Sequence, residues 1–170
     1  SLTAIATFVR LVNVLRLKPN PPVPVKAVGL TMSAFRRLAE SPLYPVPWRG
    51  WRKGSMEPEI LSEHLRMAFD RAGLAELAEL FDWAAQKRFG GRELDYGERF
   101  EKLDLPLLVI SGTYDDLAPP EGVHPAFARS ASQDKTYRAL PLGHIDLLVG
   151  REAPKSSWTL LADWVGARAK

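Results

Sequence analysis

The 170-residue sequence predicts an α/β fold, and three observations support that prediction. A continuous apolar run at residues 107–110 is typical of a strand covered on both faces, as in parallel sheets. A second strand is favoured at residues 136–140, and helical patterns lie between the two strands and after them. The order strand, helix, strand, helix is that of the closing units of a wound α/β sheet.

The first part of the chain, residues 1–102, is predicted to be mainly helical. Pro58 suits the first turn of a helix, and apolar residues recur at helical spacing from there until Gly73 ends the run. The same spacing recurs over residues 74–85. A stretch rich in proline and glycine at residues 41–54 is too irregular for a helix or a strand and predicts a loop.

The second part, residues 103–170, is predicted to contain the sheet. A short helix is favoured at residues 125–131, between the two strands. Pro154 suits the opening of a last helix. In that helix four apolar residues share one face: Trp158, Leu161, Trp164 and Val165.

Composition limits the classes of partner. Hydrophobic residues make up 46% and charged residues 25%, which is typical of a soluble globular protein. A net charge of +3 is too small to indicate a polyanion, so no nucleic-acid partner is predicted. The apolar stretch at residues 2–17 is too short to cross a bilayer, and no membrane span is predicted. Cysteine is absent, which suits a reducing cytosol and favours a cytoplasmic location.

Two ionisable residues follow the predicted strands at glycines. Asp115 follows Gly112, and His144 comes directly after Gly143. Asp115 and His144 are 29 positions apart, enough for a loop, a helix and a strand to bring them together. A carboxylate and then an imidazole, presented by strand-end loops in this order, are two members of a nucleophile–histidine–acid triad.

Each of these residues also has a plainer interpretation. Asp115 could be a turn former, and His144 could be a histidine bonded to a backbone carbonyl. For the neighbouring groups we expect structural positions: Asp116 on solvent, Asp146 tying the turn after His144, His64 in the cap core or a pocket lining, and His124 in a surface loop. No common ligand motif matches the spacing of Asp115, Asp116, His124, His144 and Asp146, so no metal and no other cofactor is predicted.

The two motifs can be compared with a known family. Residues 112–119, Gly-Thr-Tyr-Asp-Asp-Leu-Ala-Pro, and residues 143–150, Gly-His-Ile-Asp-Leu-Leu-Val-Gly, resemble the C-terminal part of α/β-hydrolases. The sequences of the two motifs are similar to those of lipases, esterases and the related polyhydroxyalkanoate synthases, and the resemblance covers about residues 103–168. The resemblance implies an α/β-hydrolase core whose mainly helical cap is residues 1–102. It also implies that His144 is the general base and then acid, with Asp115 as its orienting partner.

The nucleophile is not found in the sequence. The elbow pattern Gly-x-Ser-x-Gly does not occur, and neither Ser33 nor Ser111 has its glycines. We therefore expect the nucleophile and the oxyanion hole upstream, in an N-terminal half of the fold. The resemblance implies hydrolysis of small carboxylic esters or similar acyl compounds through an acyl-enzyme. Two alternatives stay open: acyl transfer as in polyhydroxyalkanoate synthases, with a cysteine nucleophile, and a non-catalytic binding module.

Overall fold

A computed structural model describes residues 22–34, 50–68, 72–86, 88–90 and 94–169 of the chain. The predictions for residues 2–17 and 41–49 lie outside these ranges. The elements in chain order are β1 (Pro22–Val23), α1 (Val25–Ala34), α2 (Pro58–Met67), β2 (Ala72–Gly73), α3 (Leu74–Gln86), α4 (Tyr96–Glu101), β3 (Leu107–Gly112), α5 (Pro120–Arg129), β4 (Lys135–Leu140), α6 (Asp146–Val149), a 3-10 helix (Ala153–Lys155) and α7 (Ser157–Gly166).

A parallel sheet of β3 and β4 confirms the predicted α/β class. The register runs from Leu107 opposite Lys135 to Gly112 opposite Leu140, so both strands end at the same edge. Helix α5 connects the strands and packs on both, and α7 packs on β3. Helix α5 begins at Pro120 rather than near 125, because Pro119 and Pro120 already supply the backbone angle that a helix start requires.

In the helical part of the chain, the C-terminal end of α2 differs from the prediction. Helix α3 lies where its apolar pattern placed it, and α2 begins at Pro58 as expected. However, α2 ends at Met67 instead of continuing to Gly73. Ala72 and Gly73 pair with Pro22 and Val23 in an antiparallel ladder, so tertiary pairing overrides the helical spacing of the sequence.

The main core joins the two parts of the chain. Its buried members are Trp51, Met56, Leu61 and Leu65, and Met32, Ile145 and Val149 pack against them. Residues from the loop before α2 and from α2 itself therefore share one core with the segment that follows β4. This packing places the early part of the chain beside the His144 turn.

The sheet is less covered than predicted. Residues 107–110 are half-buried, not buried on both faces, because β4 is the one strand that pairs with β3 in the described part of the chain. On α7, the apolar face that the sequence predicted is about half exposed at Trp158, Leu161 and Val165. None of the helices in the described ranges combines the length and hydrophobicity that crossing a membrane requires.

Candidate active site

The parallel register brings two loops together at the carboxyl edge of the sheet. Thr113 N donates to Leu140 O over 2.7 Å, and Tyr114 N donates to Leu142 O over 3.1 Å. The approach is so close that a Cβ added at Gly112 would lie 2.2 Å from the carbonyl oxygen of Leu142. A glycine is therefore required at the end of β3 for the two loops to meet.

Asp115 lies at the centre of this contact. Its Oδ1 accepts hydrogen bonds from the backbone N–H groups of Leu117 (2.9 Å) and Ala118 (2.8 Å), and its Oδ2 accepts one from Nδ1 of His144 (2.8 Å). Burial by itself would raise the pKa of Asp115, but the Ala118 N–H, the His144 ring and the Leu117 N–H together outweigh it. The pKa of Asp115 is consequently lowered, and its carboxylate form is favoured.

His144 is the more accessible member of the pair. Its side chain is 48% exposed, whereas that of Asp115 is 2% exposed. A carboxylate can only accept a hydrogen bond, so Nδ1 of the neutral ring carries the hydrogen and Nε2 is left as an acceptor. The contact between Asp115 and His144 that the sequence predicted is present, with the tautomer that leaves Nε2 free to take a proton.

His64 is a second histidine in the electrostatic field of the site. It is half-buried on α2, between Leu61 and Leu65, which belong to the core that also receives Ile145. Burial lowers the pKa of His64, and the positive charge of a protonated His144 lowers it further. Its position agrees with the predicted role in a core or pocket lining.

The other ionisable residues lie outside the contact. Asp116 is exposed, as expected. His124 is also at the surface, but the predicted loop is wrong: it lies within α5, where its ring meets Tyr137 edge-on at 5.0 Å. The early start of α5 at Pro120 explains the difference. Within the described residues no group of three or more histidine or acidic side chains is arranged to hold a metal ion.

Neither serine that the sequence offered is placed as a nucleophile. Ser111 is buried, and its Oγ pairs with Oη of Tyr137 at 2.7 Å. Ser33 is buried too and pairs with Ser62 at 2.9 Å, between α1 and α2. Each hydroxyl is hydrogen-bonded to a residue other than His144.

Asp146 is the buried carboxylate of the His144 turn, and its partners include residues that the sequence did not indicate. Its oxygens accept from Gly143 N (2.9 Å), Arg52 N (2.8 Å) and Ser55 Oγ (2.7 Å). The predicted tie to its own turn is present at Gly143. The contacts to Arg52 and Ser55 cross more than ninety positions of sequence, and an irregular loop has no periodicity that could have revealed them.

Comparison with known proteins finds partial similarity to polyhydroxyalkanoate polymerases, one of the groups that the two motifs resemble. No family profile matches the chain. Parts of it are similar to poly(3-hydroxyalkanoate) polymerase subunits PhaC: 32% identity over 80 residues with the protein of Haloferax mediterranei, 29% over 112 with that of Haloarcula marismortui, and 30% over 82 with that of Thiocystis violacea.

The similarity is partial in both directions. The matched segments are 47%, 64% and 48% of this chain, in the order given above. They are 15%, 24% and 22% of the respective relatives. The chain thus spans about a quarter or less of the length of these curated relatives.

Proposed function

We propose that the full-length protein containing this chain is an acyltransferase of the polyhydroxyalkanoate-synthase type, in which His144 moves protons and Asp115 orients it. One observation carries the proposal: Nδ1 of a half-exposed imidazole donates to a buried carboxylate over 2.8 Å. The relatives are polymerases of hydroxyalkanoates, which supports acyl transfer over the ester hydrolysis that the motifs alone favoured.

Asp115 has two roles in the proposed reaction. It holds the His144 ring in the tautomer whose Nε2 accepts a proton, and its negative charge stabilises the imidazolium that forms. The lowered pKa of Asp115 suits both roles, since the carboxylate must stay ionised while the ring changes charge. The two backbone N–H groups on Oδ1 fix the carboxylate so that Oδ2 faces the ring.

The first half-reaction forms an acyl-enzyme. Nε2 of His144 takes the proton of a thiol while the sulfur attacks the carbonyl carbon of an activated acyl substrate. The bond to the leaving group then breaks, and the leaving group departs with the proton from Nε2. The chain has no cysteine, so in this proposal the thiol comes from another part of the full-length protein.

The second half-reaction transfers the acyl group. A hydroxyl of a second hydroxyalkanoate gives its proton to Nε2 and attacks the carbonyl carbon of the thioester. The carbon–sulfur bond breaks, the sulfur recovers the proton from His144, and a new ester bond is formed. Water in place of the hydroxyl would give the free acid, so the acceptor decides between transfer and hydrolysis.

The experiment supplies an activated 3-hydroxyacyl ester to the full-length protein and separates polymer from free acid. We expect polymer from the wild type and a loss of about four orders of magnitude in kcat for His144→Ala. His124→Ala is the matched control, because it removes an exposed imidazole on α5 outside the site.

The amounts of polymer and free acid, and the turnover of His144→Ala, decide between the alternatives. Polymer that disappears in His144→Ala supports the proposal. Free acid without polymer would overturn acyl transfer in favour of hydrolysis. Turnover that survives His144→Ala unchanged would overturn the role of the histidine itself.

A further inference from the structure

The loop before α2 is bonded to the His144 turn at several points. We call residues 50–55 the clasp. The carbonyl oxygen of Gly50 accepts from Ile145 N over 2.6 Å, and that of Ser55 accepts from Arg151 N over 2.9 Å. Between these two bonds lie the contacts of Asp146, which is fully buried and accepts from Arg52 N and Ser55 Oγ.

The carboxylate of Asp146 connects the clasp directly to the backbone beside His144. Oδ2 accepts two N–H groups, one from Arg52 in the clasp and one from Gly143, the residue before His144. A Cβ at Gly143 would lie 2.8 Å from this oxygen and 3.0 Å from Arg52 N, so only glycine allows the three groups to meet. The position of the His144 backbone is therefore tied to that of the clasp.

The clasp also reaches the loop of the acid. The guanidinium of Arg52 lies over the ring of Tyr114, 4.6 Å from its centroid, and Tyr114 is the residue before Asp115. Such a cation–π contact stabilises by about 0.5–1 kcal/mol at an exposed site. Arg52 thus contacts one loop through its backbone and the other through its side chain.

We infer that Asp146 is a positioning residue, which fixes the distance between Asp115 and His144 by holding the clasp against both loops. The inference deepens the proposed function and rests on it. Removal of the carboxylate would leave the backbone N–H groups of Gly143 and Arg52 without this acceptor, and an unsatisfied donor at a buried position such as Gly143 is costly. The clasp would then separate from Gly143, and the imidazole would lose its fixed position relative to Asp115.

An asparagine at this position distinguishes hydrogen bonding from charge. Its carbonyl oxygen can accept both N–H groups, and its amide can donate to Oγ of Ser55. That hydroxyl keeps an acceptor of its own, because Oγ of Ser55 also lies 2.5 Å from Arg52 O. Asp146→Asn therefore retains all three contacts without the charge, whereas Asp146→Ala retains none.

The experiment compares Asp146→Ala and Asp146→Asn in the full-length protein. We expect Asp146→Ala to lower kcat about a hundredfold with little change in KM, because a displacement of about 1 Å at a reacting group has that effect. Asp146→Asn should keep most of the activity. Ser33→Ala is the matched control for lost stability, since it removes a side-chain hydrogen bond between α1 and α2 and touches neither loop.

A second readout does not depend on turnover. NMR of ¹⁵N-histidine-labelled protein reports whether Nδ1 of His144 keeps its hydrogen-bonded proton. We expect the proton to be retained in Asp146→Asn and in Ser33→Ala, and lost or exchange-broadened in Asp146→Ala. If the proposed function is wrong, this result still stands, because it measures only the position of the ring.

Two outcomes would overturn the inference. One is an intact Nδ1–H signal and an unchanged kcat in Asp146→Ala. The other is an Asp146→Asn variant as impaired as Asp146→Ala, which would assign the effect to charge and not to the hydrogen bonds that hold the clasp.

Discussion

The loop after β3 and the turn after β4 each bury one aspartate, but the two carboxylates face different partners. Asp115 accepts from its own loop and from an imidazole that can gain a charge. Asp146 accepts from two backbone N–H groups and a hydroxyl, all of which stay neutral. A carboxylate beside an ionisable group can stabilise a charge that develops on that group. A carboxylate among neutral donors can only hold those donors in position. From these partners we propose two roles for the same residue type at the same edge of the sheet: Asp115 orients the His144 ring, and Asp146 holds the turn in position.

The largest expected difference between the two carboxylates is the effect on kcat when each is replaced by asparagine. In the full-length protein, Asp115→Asn should lower kcat by up to about four orders of magnitude, since an amide disfavours the required tautomer and cannot stabilise the imidazolium. Asp146→Asn should be mild. Steady-state kinetics test the pair, and Asp116→Asn is the control, because Asp116 is adjacent but exposed. Equal losses at Asp115 and Asp146 would remove the distinction between the two carboxylates.

The next effect tests how tightly the turn after β4 is packed. Gly143→Ala should destabilise the folded protein by about 1–3 kcal/mol, because its Cβ would meet Asp146 Oδ2 and the backbone at Arg52 and Trp51 within 3.1 Å. Chemical denaturation measures the loss. Gly166→Ala is the control: nothing lies within 4 Å of its added Cβ, so it should be neutral or slightly stabilising. A Gly143→Ala variant as stable as wild type would show that the turn can loosen freely.

A smaller effect is expected on acid stability. The pKa of Asp115 is lower in the folded chain than the value of about 3.9 in an unfolded one, so the unfolded state binds more protons in that range. The resulting stability is present above about pH 4 and is lost as the pH falls through the folded pKa. Unfolding free energies measured across this range should fall less steeply in Asp115→Asn. Equal slopes of the unfolding free energy against pH in the two proteins would contradict the lowered pKa.

The smallest effect concerns His64. Burial is the larger cause of its lowered pKa, and the charge of His144 is the second. Replacing His144 by glutamine should therefore raise the pKa of His64 only part of the way toward about 6.5, as followed by NMR titration. Replacing exposed His124 by glutamine should leave that titration unchanged. No movement in His144→Gln would mean that the two imidazoles do not interact.

Features of the fold that depend on neighbouring residues in the sequence, such as β3 and the two loops at the sheet edge, could be predicted. The apolar run of β3 and the glycines before the two loops placed Asp115 and His144, because strand ends of a parallel pair meet at one edge. Helix α4 was missed although a signal was available: Asp95 is its N-cap and accepts from Glu98 N, in the spacing of a capping box.

The parts that distant residues determine were not predictable from local patterns. The end of α2 depends on pairing between β1 and β2, and the role of Asp146 depends on a loop that precedes it by more than ninety positions. A single sequence records periodicity and turn chemistry, but an irregular loop has neither. Ser55 and Arg52 therefore looked like ordinary loop residues, although both are bonded to the buried carboxylate.

The bond between Ser55 and Asp146 also has a consequence for how the chain folds. It closes a loop across 91 positions, and the entropy of such a closure costs about 4 kcal/mol beyond a constant. Helices α2 and α3 and the α5 crossover involve much shorter separations and can form before this closure is complete. We therefore expect the clasp to bind Asp146 in a late folding step, after most of the secondary structure has formed. A nascent or partly folded chain would then have the Asp115 and His144 loops in place before the clasp is bonded to the buried carboxylate of Asp146.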